Sequence, residues 1–220
     1  MTPHLEAVTD LVIIAFFYLL RVGEYTTPHC ARTKRTIPLW DCDIRLWYQG
    51  KIIPHSAGLQ ALLQADSATI SIVHTKNGTK GAVVHHDAIG GLICPITALA
   101  RRVVNIQQAN SITCQLNAVY SASGQRSQVS DRDIGIAVQW GATCDCLLTQ
   151  GYTLNQILLH SLRTGGAMAM KLSGASDSTI MRVGRWSSLT YLTYIHLQIG
   201  ALTAGLSKLM ATQVQFQNVG

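Results

Sequence analysis

Leu5, Val8, Leu11, Val12, Ala15, Phe16 and Leu19 recur every three or four positions. That spacing gathers side chains on one face of a helix. It predicts an opening helix with one face in a core, delivering Arg21 at its C-terminal end, with Gly23 as a fitting stop. Residues 26–38 turn polar and basic, with Arg32, Lys34 and Arg35, and predict a loop. Asp43 to Tyr48 alternates and is aromatic, which predicts a strand. From Thr69 to His86 two β-rich runs flank Asn77-Gly78, a strong hairpin signal, and Lys76 and Lys80 bracket the turn.

Helical periodicity returns from Pro95 to Ala109, with Ile96, Leu99, Val103 and Ile106 as the apolar stripe. Arg101 and Arg102 fall off that stripe and read as a solvated face. Residues 110–129 are rich in Ser, Gln and Asn and predict a loop with a short strand near Cys114 to Tyr120. Ser130-x-x-Asp133 resembles a capping box, starting a helix to about Leu148. Thr153-x-x-Gln156 predicts a further short helix. Ser161 is a candidate cap for the next one, which Gly174 would end. Ser176 or Asp177 opens a short helix to Gly184, and a last one runs from Ser187 or Ser188 towards Met210. No repeat or linker divides the chain, so residues 1–220 read as one domain, with 197–220 as a C-terminal helix and tail.

Composition narrows the function classes. The 220 residues are 48% hydrophobic and only 13% charged, so a core is easily supplied. The net charge of +6 suits a polyanionic partner, although an excess this size also serves plain solubility. Six cysteines, at 30, 42, 94, 114, 144 and 146, form no Cys-x-x-Cys pair and have no zinc-finger spacing. They read as reduced and intracellular. The apolar run from Leu11 to Leu20 is too short to span a bilayer, and no basic segment precedes it as in a signal peptide.

The chemistry concentrates between His160 and Tyr194. His160 and Arg163 lie three apart and can face one target. A guanidinium binds phosphate oxygens bidentately, and an imidazole titrates near neutral pH. A tyrosine downstream, Tyr191 or Tyr194, is a candidate nucleophile towards that phosphate.

His160-Ser-Leu-Arg163-Thr-Gly-Gly, followed by Gly184-Arg185-Trp186 and Thr-Tyr194-Ile-His196, resembles the second motif box of the tyrosine recombinases, or phage-type integrases. It is most similar to those of eukaryotic Crypton- and DIRS-type mobile elements. Leu-Leu-Arg21-Val-Gly-Glu24-Tyr matches the first box. The boxes are specific, whereas the region between them matches only in layout.

The resemblance implies a mainly helical α+β catalytic domain with a small antiparallel sheet. The N-terminal core-binding domain of the family is expected to be absent, because the first box begins about twenty residues into the chain. Arg21 and Arg163 would clamp the scissile phosphate, and Tyr194 would attack it. His160 would relay the phenolic proton. Lys76, with Lys80 as the alternative, would protonate the leaving 5′ oxygen. Trp186, or else Arg185, would add a hydrogen bond where the family often has a histidine. Glu24 would orient Arg21, and Tyr191 would pack.

The implied activity is DNA breaking and rejoining through a 3′-phosphotyrosyl intermediate, with no metal, ATP or other cofactor. The implied partners are double-stranded DNA and three further copies of the chain in a tetramer. The implied location is with DNA, in the nucleus of a eukaryotic host. Type IB topoisomerase chemistry and an inactive DNA-binding module are the rival readings.

Overall fold

The computed structural model describes residues 2–29, 36–72, 81–109 and 114–194, the side chains at 150, 190, 193 and 194 excepted. Helix α1 spans Pro3–Phe17. Thr2 caps it by accepting a hydrogen bond from the Leu5 amide, and proline at the first turn needs no amide partner. Its buried face is Ala7, Val8, Leu11, Ile14 and Ala15, while Leu5 is exposed. A four-residue helix α2, Val22–Tyr25, follows, and then strands β1, Ile44–Tyr48, and β2, Lys51–Ile53. Helix α3 is Leu59–Leu62, and strands β3, Ser67–Ile72, and β4, Ala82–Asp87, complete the first half.

The second half adds α4, Pro95–Gln108, then β5, Ala118–Tyr120, and β6, Arg126–Gln128. Helices α5, Asp131–Cys144, α6, His160–Leu172, and α7, Asp177–Gly184, follow. The described chain ends in a 3-10 helix, Leu189–Tyr194. The fold is mixed α+β and mostly helical, with a small antiparallel sheet ordered β2-β1-β3-β4 and a separate β5-β6 pair. Among the described residues no helix is long and apolar enough to cross a membrane.

Register explains the sheet's inner face. Ile44 pairs with Ile70, which pairs with Val84, and all three are buried together with Leu46, Ala68 and Ile72. Alternate residues share a face of a strand, so one side of the sheet is a continuous apolar layer. On the other face Trp47 Nε1 donates to Thr69 Oγ1 at 3.0 Å, and His85 Nδ1 meets the same hydroxyl at 3.1 Å. Helix α1 is the hub of the second layer, packing on α4, α5 and α6. Tyr18 joins the layers: its ring is fully buried and its hydroxyl donates to the Ala68 carbonyl at 3.2 Å. Burying one such side chain stabilises the fold by about 1.5–3 kcal/mol.

Several expectations need correction. Helix α1 stops at Phe17, so Leu19 lies beyond it and Arg21 is not its C-terminal residue. Arg21 instead precedes α2, and Gly23 lies inside α2, where a Cβ would collide with the Thr36 side chain. Arg102 is not solvated. It is 2% exposed and donates to the carbonyls of Leu116 and Ala118, fastening that segment to α4. Arg101 turns to the buried Asp10 carboxylate, with Nε at 2.9 Å. Ser161 lies in the first turn of α6 and does not cap it, since Leu159 is the cap residue; its Oγ accepts from the Leu158 amide. Helix α5 ends at Cys144, ahead of a separate 3-10 turn, Leu147–Gln150. The expected last helix is, as far as Tyr194, a 3-10 helix. Its continuation to Met210 lies outside the described residues, as do Cys30 and the turn with Lys76 and Lys80.

Candidate active site

The site is built on the turn that follows α1. Leu19 adopts a left-handed backbone (φ 48°), a conformation that costs a residue with a side chain about 1–2 kcal/mol. Side chains from distant segments take the carbonyls of Phe17, Tyr18 and Leu19, at the end of α1 and just beyond it. His86 Nε2 lies 2.9 Å from the Phe17 carbonyl. Arg163 Nη1 donates to the Leu19 carbonyl at 2.6 Å, and Arg185 Nη2 donates to the same oxygen at 3.1 Å. Arg185 Nη1 reaches the Tyr18 carbonyl at 3.4 Å. Cations are favoured at a helix C-terminus because its free carbonyls carry partial negative charge.

Arg21 stands two residues further on. Its backbone N–H donates to Glu24 Oε2 at 2.7 Å, and its Nη1 lies 3.3 Å from Glu24 Oε1. Its Nη2 donates to the Arg185 carbonyl at 3.4 Å. Glu24 is buried, and its Oε2 also takes Arg185 Nη2 at 2.7 Å. The expected contact between Glu24 and Arg21 is therefore present, with Arg185 as a third member. The hydrogen-bonded cluster holds three guanidiniums, Arg21, Arg163 and Arg185, against the one carboxylate of Glu24. Its balance is 3 − 1, two positive charges in a partly desolvated setting. Such a setting favours an anion.

Helix α6 brings Arg163 into the cluster through its glycines. Gly166 packs against the end of α1 so closely that a Cβ would sit 2.5 Å from Leu19 Cδ2 and nearer still to the Phe16 carbonyl oxygen. Arg163 is buried, and beyond Leu19 it donates to the Gly184 carbonyl. Its guanidinium carbon lies 4.3 Å from the centre of the Trp186 ring, a cation–π stack. Gly184 is needed below that ring, because a Cβ there would overlap it.

His160 opens α6 one turn before Arg163 and keeps an exposed edge. Desolvation of the rest of the ring, and then the Arg163 cation, hold its pKa below the usual imidazole value. At neutral pH it is thus biased to the neutral form, which can accept a proton.

Tyr191 is fully buried, with its ring 5.6 Å from that of Trp186. Its hydroxyl donates to Asp177 Oδ1 at 2.5 Å, and Lys171 binds the same oxygen. Burial, then the Asp177 carboxylate, push its pKa up to about 12. A phenol so held packs and anchors; it is a poor nucleophile. Tyr194 ends the 3-10 helix that Tyr191 fastens, and its side chain lies outside the described residues, as does all of Lys76.

Of the six residues singled out from the sequence, Arg21, Arg163 and Trp186 are thus linked around one turn, and His160 stands one helical turn before Arg163. The sequence did not reveal that Arg185 would be buried beside Glu24, that Asp177 would hold Tyr191, or that His86 would reach the Phe17 carbonyl. Only Arg185 had a visible signal, its place between Gly184 and Trp186. Among the described residues no cluster of His, Cys, Asp or Glu is arranged to hold a metal ion. No protein-family model matches the chain, and no curated protein matches it.

Proposed function

We propose that the chain is the catalytic domain of a tyrosine recombinase, which breaks and rejoins double-stranded DNA through a 3′-phosphotyrosyl intermediate. The observation that carries this reading is the doubly positive cluster in which Arg21 and Arg163, from distant parts of the chain, are linked through Glu24, Arg185 and the Leu19 carbonyl. A phosphodiester resists attack because its oxygens repel nucleophiles and its alkoxide leaves poorly. Fixed guanidiniums answer the first difficulty, since donors already in place need no reorganisation as charge develops. Arg21, held by Glu24 with 18% of its side chain exposed, is such a donor, and Arg163, fixed by two carbonyls and stacked on Trp186, adds its charge from behind.

In this reading Tyr194 attacks the phosphorus and His160, kept neutral, takes its proton. Lys76 protonates the departing 5′ oxygen. The ester energy is kept in the phosphotyrosine, so another 5′ hydroxyl can reverse the step without ATP. Trp186 supports Arg163 and takes the place that a histidine often has in the family, while Arg185 turns inward. Assembly as a tetramer on two duplexes belongs to the same proposal.

The test is a pool of nicked duplexes of randomised sequence, on which the nick traps any covalent product. A protein–DNA adduct is expected with the native chain and not with Tyr194→Phe. If the native chain binds DNA and yields no adduct, the reading is wrong and an inactive binding module replaces it. Relaxation of a supercoiled plasmid lacking any selected site would favour a topoisomerase instead.

A further inference from the structure

Arg185 carries three separate costs. Its backbone is left-handed (φ 57°) although it is not a glycine. Its side chain is 2% exposed, and burial lowers its pKa. Its Nε is buried without a hydrogen-bond partner. A buried ion pair rarely repays its own desolvation, and an orphaned donor adds to the penalty. An apolar side chain of similar volume would serve stability at least as well. Costs gathered on one residue at a site point to a positional role.

That role is legible in its contacts. Arg185 touches the Arg21 arrangement from two directions. Its carbonyl accepts from Arg21 Nη2 at 3.4 Å, and its guanidinium holds Glu24 Oε2 at 2.7 Å. Glu24 in turn holds both the amide and Nη1 of Arg21. The same guanidinium donates to the carbonyls of Tyr18, Leu19 and Val183, fixing the turn from which Arg21 projects. Arg21 keeps 18% of its side chain exposed, so it faces outward while Arg185 is enclosed.

We infer that Arg185 is a positioning residue: with Glu24 it sets the guanidinium of Arg21 for a phosphate and does not itself touch DNA. The inference rests on the recombinase reading only for the identity of the anion. Lysine at 185 could keep the charge near Glu24 but not the planar fork that serves several acceptors at once. Methionine would keep the volume and remove both charge and donors.

The experiment compares the native chain with Arg185→Lys and Arg185→Met in four measurements. These are thermal stability, affinity for the nicked duplex pool across a salt series, adduct formation at saturating DNA, and the 15N order parameter of Arg21 Nε. Arg185→Met is expected to bind DNA with the native salt slope, because no phosphate contact is lost, and with affinity lowered only by the loss of one enclosed charge. It should form adduct about 100-fold more slowly, as a displacement near 1 Å implies, and show a mobile Arg21 Nε. Arg185→Lys should fall between the two in rate and in Arg21 order.

The inference is overturned if the salt slope falls by about one, which would make Arg185 a phosphate contact. It is also overturned if Arg21 stays as ordered as in the native chain and the rate falls only with the folded fraction. Should Arg185→Met fail to fold, the lysine variant decides on the same readouts. A native chain that forms no adduct sinks the recombinase reading alone, and the Arg21 order parameter still decides the role of Arg185.

Discussion

Gly165 and Gly166 are adjacent in α6, yet alanine should act on them in opposite directions. At 165 the nearest atom to a new Cβ is Phe16 Cε2 at 3.5 Å, an ordinary contact. Gly165→Ala therefore gains helix propensity without a clash, worth about 0.5–1 kcal/mol. At 166 a Cβ would meet Leu19 Cδ2 at 2.5 Å and the main-chain carbonyl of Phe16 more closely. Carbon atoms prefer about 3.5 Å or more, so α6 must withdraw by about 1 Å. Overpacking of this kind costs about 1–3 kcal/mol, and backbone cannot rotate aside, which sets the upper end. Less the propensity gain of about 1 kcal/mol, Gly166→Ala should lose about 2 kcal/mol.

The two variants should then differ by about 3 kcal/mol in urea unfolding. In melting temperature that is about 2 °C up for Gly165→Ala and about 4–8 °C down for Gly166→Ala. Withdrawal of α6 also pulls Arg163 from the Leu19 carbonyl, now 2.6 Å away. Adduct formation by the folded Gly166→Ala protein should fall about 100-fold. Equal stability of the two variants, or a Gly166→Ala protein as stable as the native one, would refute the close packing of α6 on α1.

Tyr191→Phe removes the bond to Asp177 and should lower stability by about 1 kcal/mol while adduct formation persists; loss of the adduct here with survival in Tyr194→Phe would reverse the assignment of the nucleophile. Arg102→Met leaves the Leu116 and Ala118 carbonyls without their donor and should cost about 1–3 kcal/mol in urea unfolding, whereas an unchanged midpoint would contradict its burial. His86 and His160 have pKa values lowered in the folded state, chiefly by burial. The unfolded chain then binds more protons below about pH 6.5, so stability is full above that value and falls as pH drops through it. His86→Asn should flatten that acid limb in a pH series of melting temperatures, and an unchanged limb would remove His86 as its source.

The sequence revealed those features that depend on local pattern. The Ser130 capping box, the Ser176 start of α7 and the pairing of β3 with β4 follow from residues a few positions apart. The gathering of Arg21 with Arg163 was approached through motif spacing, not through packing. Burial of polar groups was hidden. Arg102 reads as solvated because it falls outside the stripe of Ile96, Leu99, Val103 and Ile106, whereas Ala98, Ala100 and Val104 are buried as well, so α4 is enclosed on most sides. Arg185 reads as the alternative to Trp186 at the phosphate because nothing local announces that Glu24 and three carbonyls lie within its reach. Likewise the left-handed Leu19 carries no glycine or asparagine signal, and its cost is met by contacts that only the folded chain supplies.

The turn after α1 has a consequence for the order in which the protein becomes competent during synthesis. Leu19 and Arg21 leave the ribosome early, whereas Arg163 and Arg185 are separated from their contacts there by 144 and 164 positions. Closing loops of that length is slow compared with forming α1 itself. A nascent chain can therefore carry a finished first helix, a folded sheet and α4 while its guanidiniums are still apart. The cluster closes only after α6 and α7 have emerged, so a stalled or truncated translation product holds Arg21 without its companions. Any step that needs the three guanidiniums together must therefore wait until α6 and α7 have left the ribosome.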